Sequence, residues 1–347
     1  MVHRSIVLVS VVVVVAASTA LAGPALATEP TGRRPVHTFS IVARDPATGE
    51  LGVAVQSHWF SVGPVVPWAE AGVGAVATQS LVEISYGPLG LELMRSGRSA
   101  PEALRALVAA DSSAAVRQVA MVDAKGRVVV HTGERCIAFA GDSTGAEFSV
   151  QANLMASPDV WPAMYAAYKR STGDLAERML AALDAAQAAG GDIRGKQSAA
   201  ILIVKATASG RPWADRTFDL RVEDHPDPIA ELRRLVVLNR AYARTNHGDE
   251  LVAENRFEEA TIEYQAAAKL APAIVELPYW QAVTLASIGR VDEALPIFKQ
   301  VFEREPAWAT LTPRLVPSRL LPDDPALLAK ILAVAPGTKA SSRGNRP

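Results

Sequence analysis

The sequence predicts an α+β protein, with a layered first domain of sheets and helices followed by a purely helical second domain. Between Thr38 and Asp224, strand-like and helix-like stretches follow the order strands, two helices, strands, two helices, strands. Helices inserted in pairs between antiparallel strands imply helices packed over sheets. Beyond His225-Pro226-Asp227-Pro228 the strand signals stop, and two helical segments align at an offset of 34 residues.

Residues 1–27 are set apart from the fold. A basic start at His3 and Arg4, an apolar run from Ile6 to Ala17 and a small-x-small site at Ala25-Leu26-Ala27 have the layout of a secretory signal peptide. Ala20-Leu21-Ala22 is a second cleavage site. The apolar run is short for a full span, so cleavage after Ala27 is expected, with an uncleaved anchor as the other outcome. A secreted, extracytoplasmic chain with no stable membrane span after cleavage follows. Residues 28–37 are polar and proline-punctuated, a flexible leader. Cys136 is the single cysteine, so an exported chain must rest on a packed core and not on an internal disulfide. A formal net charge of −1 argues against a nucleic-acid partner.

Within 38–224, "TFSIVARD" and "LGVAVQS" flank the turn residues of "PATGE" and read as a hairpin. "VGAVATQS" (73–80) is the next strand. Two helices follow, "YGPLGLELMRSG" and "SAPEALRALVAAD", the second with Ser99 as N-cap and Pro101 in the first turn. Strands then flank Lys125-Gly126, and "FSVQANLM" (148–155) adds another. The helices "DVWPAMYAAYKRS" and "DLAERMLAALDAAQAAGG" come next, the latter closed by Gly190-Gly191. Strands over 197–206 and 217–224 complete the domain.

In the second domain, 228–335, residues 255–272 match 289–306: Phe257 with Val291, Glu259 with Glu293, Ala260 with Ala294, Tyr264 with Phe298, Pro272 with Pro306. A 34-residue helix–turn–helix period is the tetratricopeptide signature, and an ordinary helical bundle is the plainer reading. Two repeats need caps, expected from the 325–334 helix and the first domain. Residues 336–347 read as a disordered tail.

Thr38 poses the chemical question. A free N-terminal threonine joins a hydroxyl nucleophile to an amine that takes its proton, but this requires a second cut at His37–Thr38. Without the cut, Thr38 is a β-former at a strand start. His58, at the end of the second strand, would orient substrate or tune that amine, or simply pack beside Trp59. Thr78, Gln79 and Ser80 close the third strand, where one inward side chain would donate to an oxyanion; turn chemistry is the alternative. In "GGDIRGKQS", Asp192 and Arg194 form an ion pair, or Arg194 takes a substrate carboxylate in bidentate fashion. Gln197 and Ser198 enter the next strand. Gln151 and Asn153 alternate along one strand face, marking a wet face or cleft wall. His58, His131 and Cys136 lack zinc-type spacing, and no P-loop, dinucleotide or Gly-x-Ser-x-Gly motif is present. No metal or cofactor is expected, and Cys136 reads as a small buried hydrophobe.

Six ordered blocks, "TFSIVARDPATGELGVAVQSHWFSVG", "GVGAVATQS", "YGPLGLELM", "VDAKGRVVVHTG", "FSVQANLM" and "GGDIRGKQSAAIL", resemble the bacterial and archaeal domain of unknown function numbered 1028, over about Thr38 to Asp224. The resemblance implies an αββα four-layer sandwich of the N-terminal-nucleophile (Ntn) hydrolase type. It also implies amide-bond cleavage, with Thr38 matching the threonine that Met removal exposes in many members. Some members carry a peptidoglycan-binding domain, which points to the cell wall. This chain departs from them in its helical repeats.

Two functions follow as expectations. One is an exported Ntn-type amide hydrolase, with Thr38 as nucleophile and Thr78, Gln79 or His58 assisting, acting on cell-wall peptides or other extracytoplasmic amides. The other is a non-catalytic binding protein whose repeats take a peptide or protein partner.

Overall fold

The structure is a computed structural model that describes residues 38–337. The expected signal peptide, its cleavage site, the expected leader and the tail positions beyond residue 337 lie outside the described residues.

β1 (Thr38–Arg44) and β2 (Leu51–Ser57) form the first hairpin, with Thr38 opposite Ser57 and Arg44 opposite Leu51. Its turn needs Gly49: the residue has φ +77°, and an added Cβ would lie 2.7 Å from the Ala206 Cβ. The chain continues through β3 (Pro67–Glu70), β4 (Gly74–Ser80), α1 (Tyr86–Arg95) and α2 (Ala100–Ala110). The Ser99 side chain accepts from the Glu102 N–H while Glu102 reaches back to the Ser99 N–H, a complete capping box for α2. Next come β5 (Arg117–Asp123), β6 (Val128–Thr132), β7 (Gly141–Gly145) and β8 (Phe148–Ala152). After them lie α3 (Val160–Arg170), α4 (Leu175–Ala188), β9 (Ser198–Val204) and β10 (Arg216–Val222).

The strands make two antiparallel sheets, β10-β9-β2-β1-β8-β7 and β3-β4-β5-β6. Alternation along each strand assigns its side chains to separate cores. Phe39, Ile41 and Ala43 of β1 pack with Met164 of α3 and Met179, Leu180 and Leu183 of α4. Val42 joins Leu51, Val53 and Val55 of β2 and Ala75, Ala77, Ala120 and Val122 of the other sheet in a second core between the sheets. Val76, Val119 and Met121 turn the opposite way, onto Leu91 of α1 and Leu104 of α2. The order through the molecule is helix pair, sheet, sheet, helix pair.

Two strands escape the sequence pattern, and both are sheet edges. β3 is four residues long and opens with Pro67, which has no N–H to give to a ladder and so suits an edge. β7 reads Gly-Asp-Ser-Thr-Gly, without apolar alternation.

The C-terminal part is helical: α5 (Pro228–Ala253), α6 (Phe257–Leu270), α7 (Glu276–Ser287), α8 (Val291–Arg304), α9 (Ala307–Leu311) and α10 (Pro325–Ala333). α6 and α8 are both 14 residues long and begin 34 residues apart. Tyr279, Phe298 and Phe302 center their own core, and Ile331 of α10 closes it. α5 belongs to both parts. Ile229, Leu232 and Val236 complete the core under the six-stranded sheet, whereas Ala241 packs with Ala267 and Leu277, and Leu251 with Ala260 and Tyr264.

Candidate functional site

The space between the sheets changes character along its length. Apolar over Val42, Val53 and Ala77, it becomes polar where β1 begins and β2, β4 and β8 finish. At alternating positions stand Thr38 and Ser40 of β1, Ser57 of β2, Gln79 of β4, Gln118 of β5, and Ser149 and Gln151 of β8, with Asn153 just beyond that strand; all are buried.

Register sets the front row. Thr38 pairs with Ser57, and Ser57 with Ser198 of β9, while the Asn153 N–H donates to the Thr38 carbonyl at 3.1 Å. Ser198, Ser57, Thr38 and Asn153 therefore sit abreast. The Thr38 hydroxyl donates to Ser57 Oγ at 3.1 Å. Behind them, Gln79 Nε2 donates to the Thr38 carbonyl (3.3 Å) and to Gln118 Oε1 (2.7 Å), while its Oε1 accepts from Ser40 (2.6 Å). Gln151 Nε2 donates to Ser40, and Asn153 Nδ2 to Gln118 Oε1 at 2.8 Å. Gln118 Nε2 continues to Thr132, which donates to Asp142. The network spans both sheets and fixes the backbone of Thr38. Ser149 Oγ and Gln151 Oε1, buried in the same space, have no hydrogen-bond partner among the described residues, so the network is not fully satisfied.

The loops around this end are tied to it. The Asp192 carboxylate is buried, accepts from Arg194 N, Nε and Nη2 at 2.9, 3.0 and 2.7 Å, and accepts the His58 N–H at 3.3 Å. Asp192 thus locks the Arg194 guanidinium through two parallel bonds and anchors the residue after Ser57. The Gln197 N–H donates to the Ser57 carbonyl at 3.1 Å. Ser198 Oγ lies under the following loop, donating to Trp59 and accepting the Val62 N–H. Three non-glycine residues with left-handed backbone, Ser61 (φ 58°), Ser80 (φ 73°) and Leu154 (φ 57°), stand just past or at the ends of β2, β4 and β8. Left-handed non-glycine residues of this kind collect at functional sites.

Of the residues expected at the site, Thr38, Gln79, Gln151 and Asn153 meet in the network, and His58, Asp192, Arg194, Gln197 and Ser198 frame it. Thr78 is not among them. Its side chain lies on the opposite face of β4, and its hydroxyl donates to the Glu83 carbonyl at 3.0 Å. Gln79 supports the Thr38 carbonyl instead of pointing a donor at an oxyanion. Cys136 donates to the Arg117 carbonyl, and burial raises its thiol pKa against the pull of its hydrogen bonds. His131 contacts the Ala114 carbonyl at 2.8 Å. Sequence reasoning missed Ser40, Ser57, Gln118 and Thr132. Ser40 and Ser57 were legible in principle, because they share the parity of Thr38 in the hairpin register; Gln118 was not, since β5 lies in the other sheet from β1 and β8, and sequence does not set how the two sheets face each other. Among the described residues, no group of three or more His, Cys, Asp or Glu side chains is placed to hold a metal ion.

A model of the family of unknown function DUF1028 matches residues 38–232. The chain belongs to that family. Among solved structures, this family member resembles the crystal structure of protein SPO2555 from Silicibacter pomeroyi, described under the same family model. The two share 32% identity with a TM-score of 0.52 over 57% of this chain and 87% of the other. No curated protein matches significantly.

Proposed function

We propose that this DUF1028 chain is an extracytoplasmic amide hydrolase of the N-terminal-nucleophile type, with Thr38 as its nucleophile. The observation carrying the reading is that the family match opens at Thr38, the residue whose hydroxyl reaches the polar end of the inter-sheet space beside Ser57. The helix–sheet–sheet–helix order accords with the αββα sandwich of such enzymes.

The chemistry requires a cut at His37–Thr38. The freed α-amine takes the Thr38 hydroxyl proton as Oγ1 attacks the amide carbonyl carbon. The C–N bond then breaks, its electron pair leaves with the amine, and that nitrogen receives the proton. Water hydrolyzes the resulting ester and restores Thr38. Ser57 orients the hydroxyl, Gln79 and the Asn153 N–H hold the Thr38 backbone, and Arg194 takes a substrate carboxylate. On a panel of peptide amides, Thr38→Ala is expected to lower kcat/KM by at least about 10³-fold while the melting temperature stays near that of the native protein. Turnover retained in that variant rejects the mechanism.

A second reading rests on the helical part. A groove of about 610 Å³ lies between α5, α7 and residues 316–323, lined by Trp280, Val283 and Ile288 with Asp249 and Asp323. With the 34-residue spacing of α6 and α8, this supports a tetratricopeptide-like pair that takes a peptide or protein partner.

A further inference from the structure

Four of the nine large apolar side chains exposed among the described residues stand at the Thr38 end: Phe60 (64%), Ile193 (64%), Phe139 (46%) and Ile137 (40%). The loops that carry them are bonded to one another. Leu154 N–H donates to the Ile137 carbonyl at 2.8 Å, Met155 N–H to Phe139 at 3.1 Å, and Ile193 N–H to the Leu154 carbonyl at 3.2 Å. The Asp192 carboxylate joins this set to the Phe60 loop through the His58 N–H. Apolar side chains scattered singly over a surface need no explanation, but four gathered on loops sewn together mark a binding surface.

The charge beside them narrows the occupant. Arg194 follows Ile193 directly, its guanidinium is locked by both Asp192 oxygens, and its side chain is 27% exposed. An oriented guanidinium next to an apolar lip suits a ligand with a bulky apolar group and a carboxylate a few atoms apart. We infer that the Thr38 site is selective for amides of aromatic or branched aliphatic amino acids with a free carboxylate, the side chain lying on the Phe60–Ile193 lip and the carboxylate on Arg194. This rests on the reading of Thr38 as the reacting residue, since it assigns the lip to the substrate of that residue.

Titration calorimetry of the full chain tests the lip without requiring turnover. N-acetyl-L-phenylalanine and N-acetylglycine share an amide and a carboxylate and differ only in the benzyl group. The first is expected to bind about tenfold more tightly. Replacing Phe60 and Ile193 together with serine should bring the two within about twofold, and both side chains are exposed, so the fold is unaffected. N-acetyl-L-phenylalaninamide, which lacks the carboxylate, should bind about tenfold more weakly than the acid. Equal binding of the two acids by the native chain, a tenfold preference surviving in the double variant, or equal binding of acid and amide each overturns the inference. So does a dimer in sedimentation velocity that the double substitution dissociates, since it assigns the face to a second copy. A chain that discriminates among these probes yet cleaves no amide counts against the hydrolase reading alone.

Discussion

Thr38 and Thr78 are the same residue type, each at 0% exposure, yet one faces the space between the sheets and the other a helix. Parity along the strand decides this. The sequence shows three successive polar residues at the end of β4 but not which one faces Thr38; the core set by Ala75 and Ala77 answers that, because Gln79 shares their face. The same contrast yields a prediction. Thr78→Val removes one bond to the Glu83 carbonyl and is expected to cost about 1 kcal/mol, with turnover unchanged. Gln118→Leu strips partners from Gln79, Asn153 and Thr132 and is expected to cost about 2–4 kcal/mol. Denaturant unfolding of both variants checks the order, and an equal cost would deny the network its role.

Elements read well where one pattern dominates. The β1–β2 hairpin, the capped α2 and the glycine-terminated α4 lie close to their expected limits because alternation, capping and helix termination are local. β3 and β7 were illegible because edge strands need satisfy only one neighbor and tolerate proline, glycine and polar residues. At the start of β5, Arg117 Nε meets Asp111 at 2.8 Å, joining the end of α2 to the site-bearing strand. Burial alone would raise the Asp111 pKa, but bonds from Arg117, the Ser113 N–H and Tyr86 outweigh it and leave the group below its ordinary value. A carboxyl depressed in the folded state stabilizes above its unfolded pKa of about 3.9, and this is lost as pH falls through the folded value. Asp111→Asn should therefore cost about 1 kcal/mol at pH 7, a gap that closes as the pH drops below about 4. A pH-independent gap in thermal melts would refute the linkage.

At the scale of the molecule, the two parts share α5. The sequence places a boundary at the His225–Pro228 segment, where strand signals end, but helical periodicity cannot say that one continuous helix serves two cores. A chain cut before Pro228 loses Ile229, Leu232 and Val236 from under the six-stranded sheet. At about 1.5–3 kcal/mol for each buried aliphatic side chain, that loss approaches the whole stability of a domain. Circular dichroism melts should show that a form ending at Asp227 does not fold cooperatively and that one ending at Ala253 does. Equal stability of the two would mean that α5 adds nothing to the first domain.

Hydrolysis by Thr38 turns on one atom, its α-nitrogen. The site around it was only partly legible from sequence: the Asp192–Arg194 pair could be read from residues two apart, whereas the facing of the two sheets and their register are products of the fold. The resemblance, in contrast, singled out Thr38 directly. N-terminal sequencing with intact mass, on protein recovered from native cells and their medium, reads the state of that nitrogen. A chain that begins with Thr38 is the expected result. A mature chain beginning at Thr28, with the peptide bond before Thr38 intact, would contradict it and leave Thr38 a strand residue.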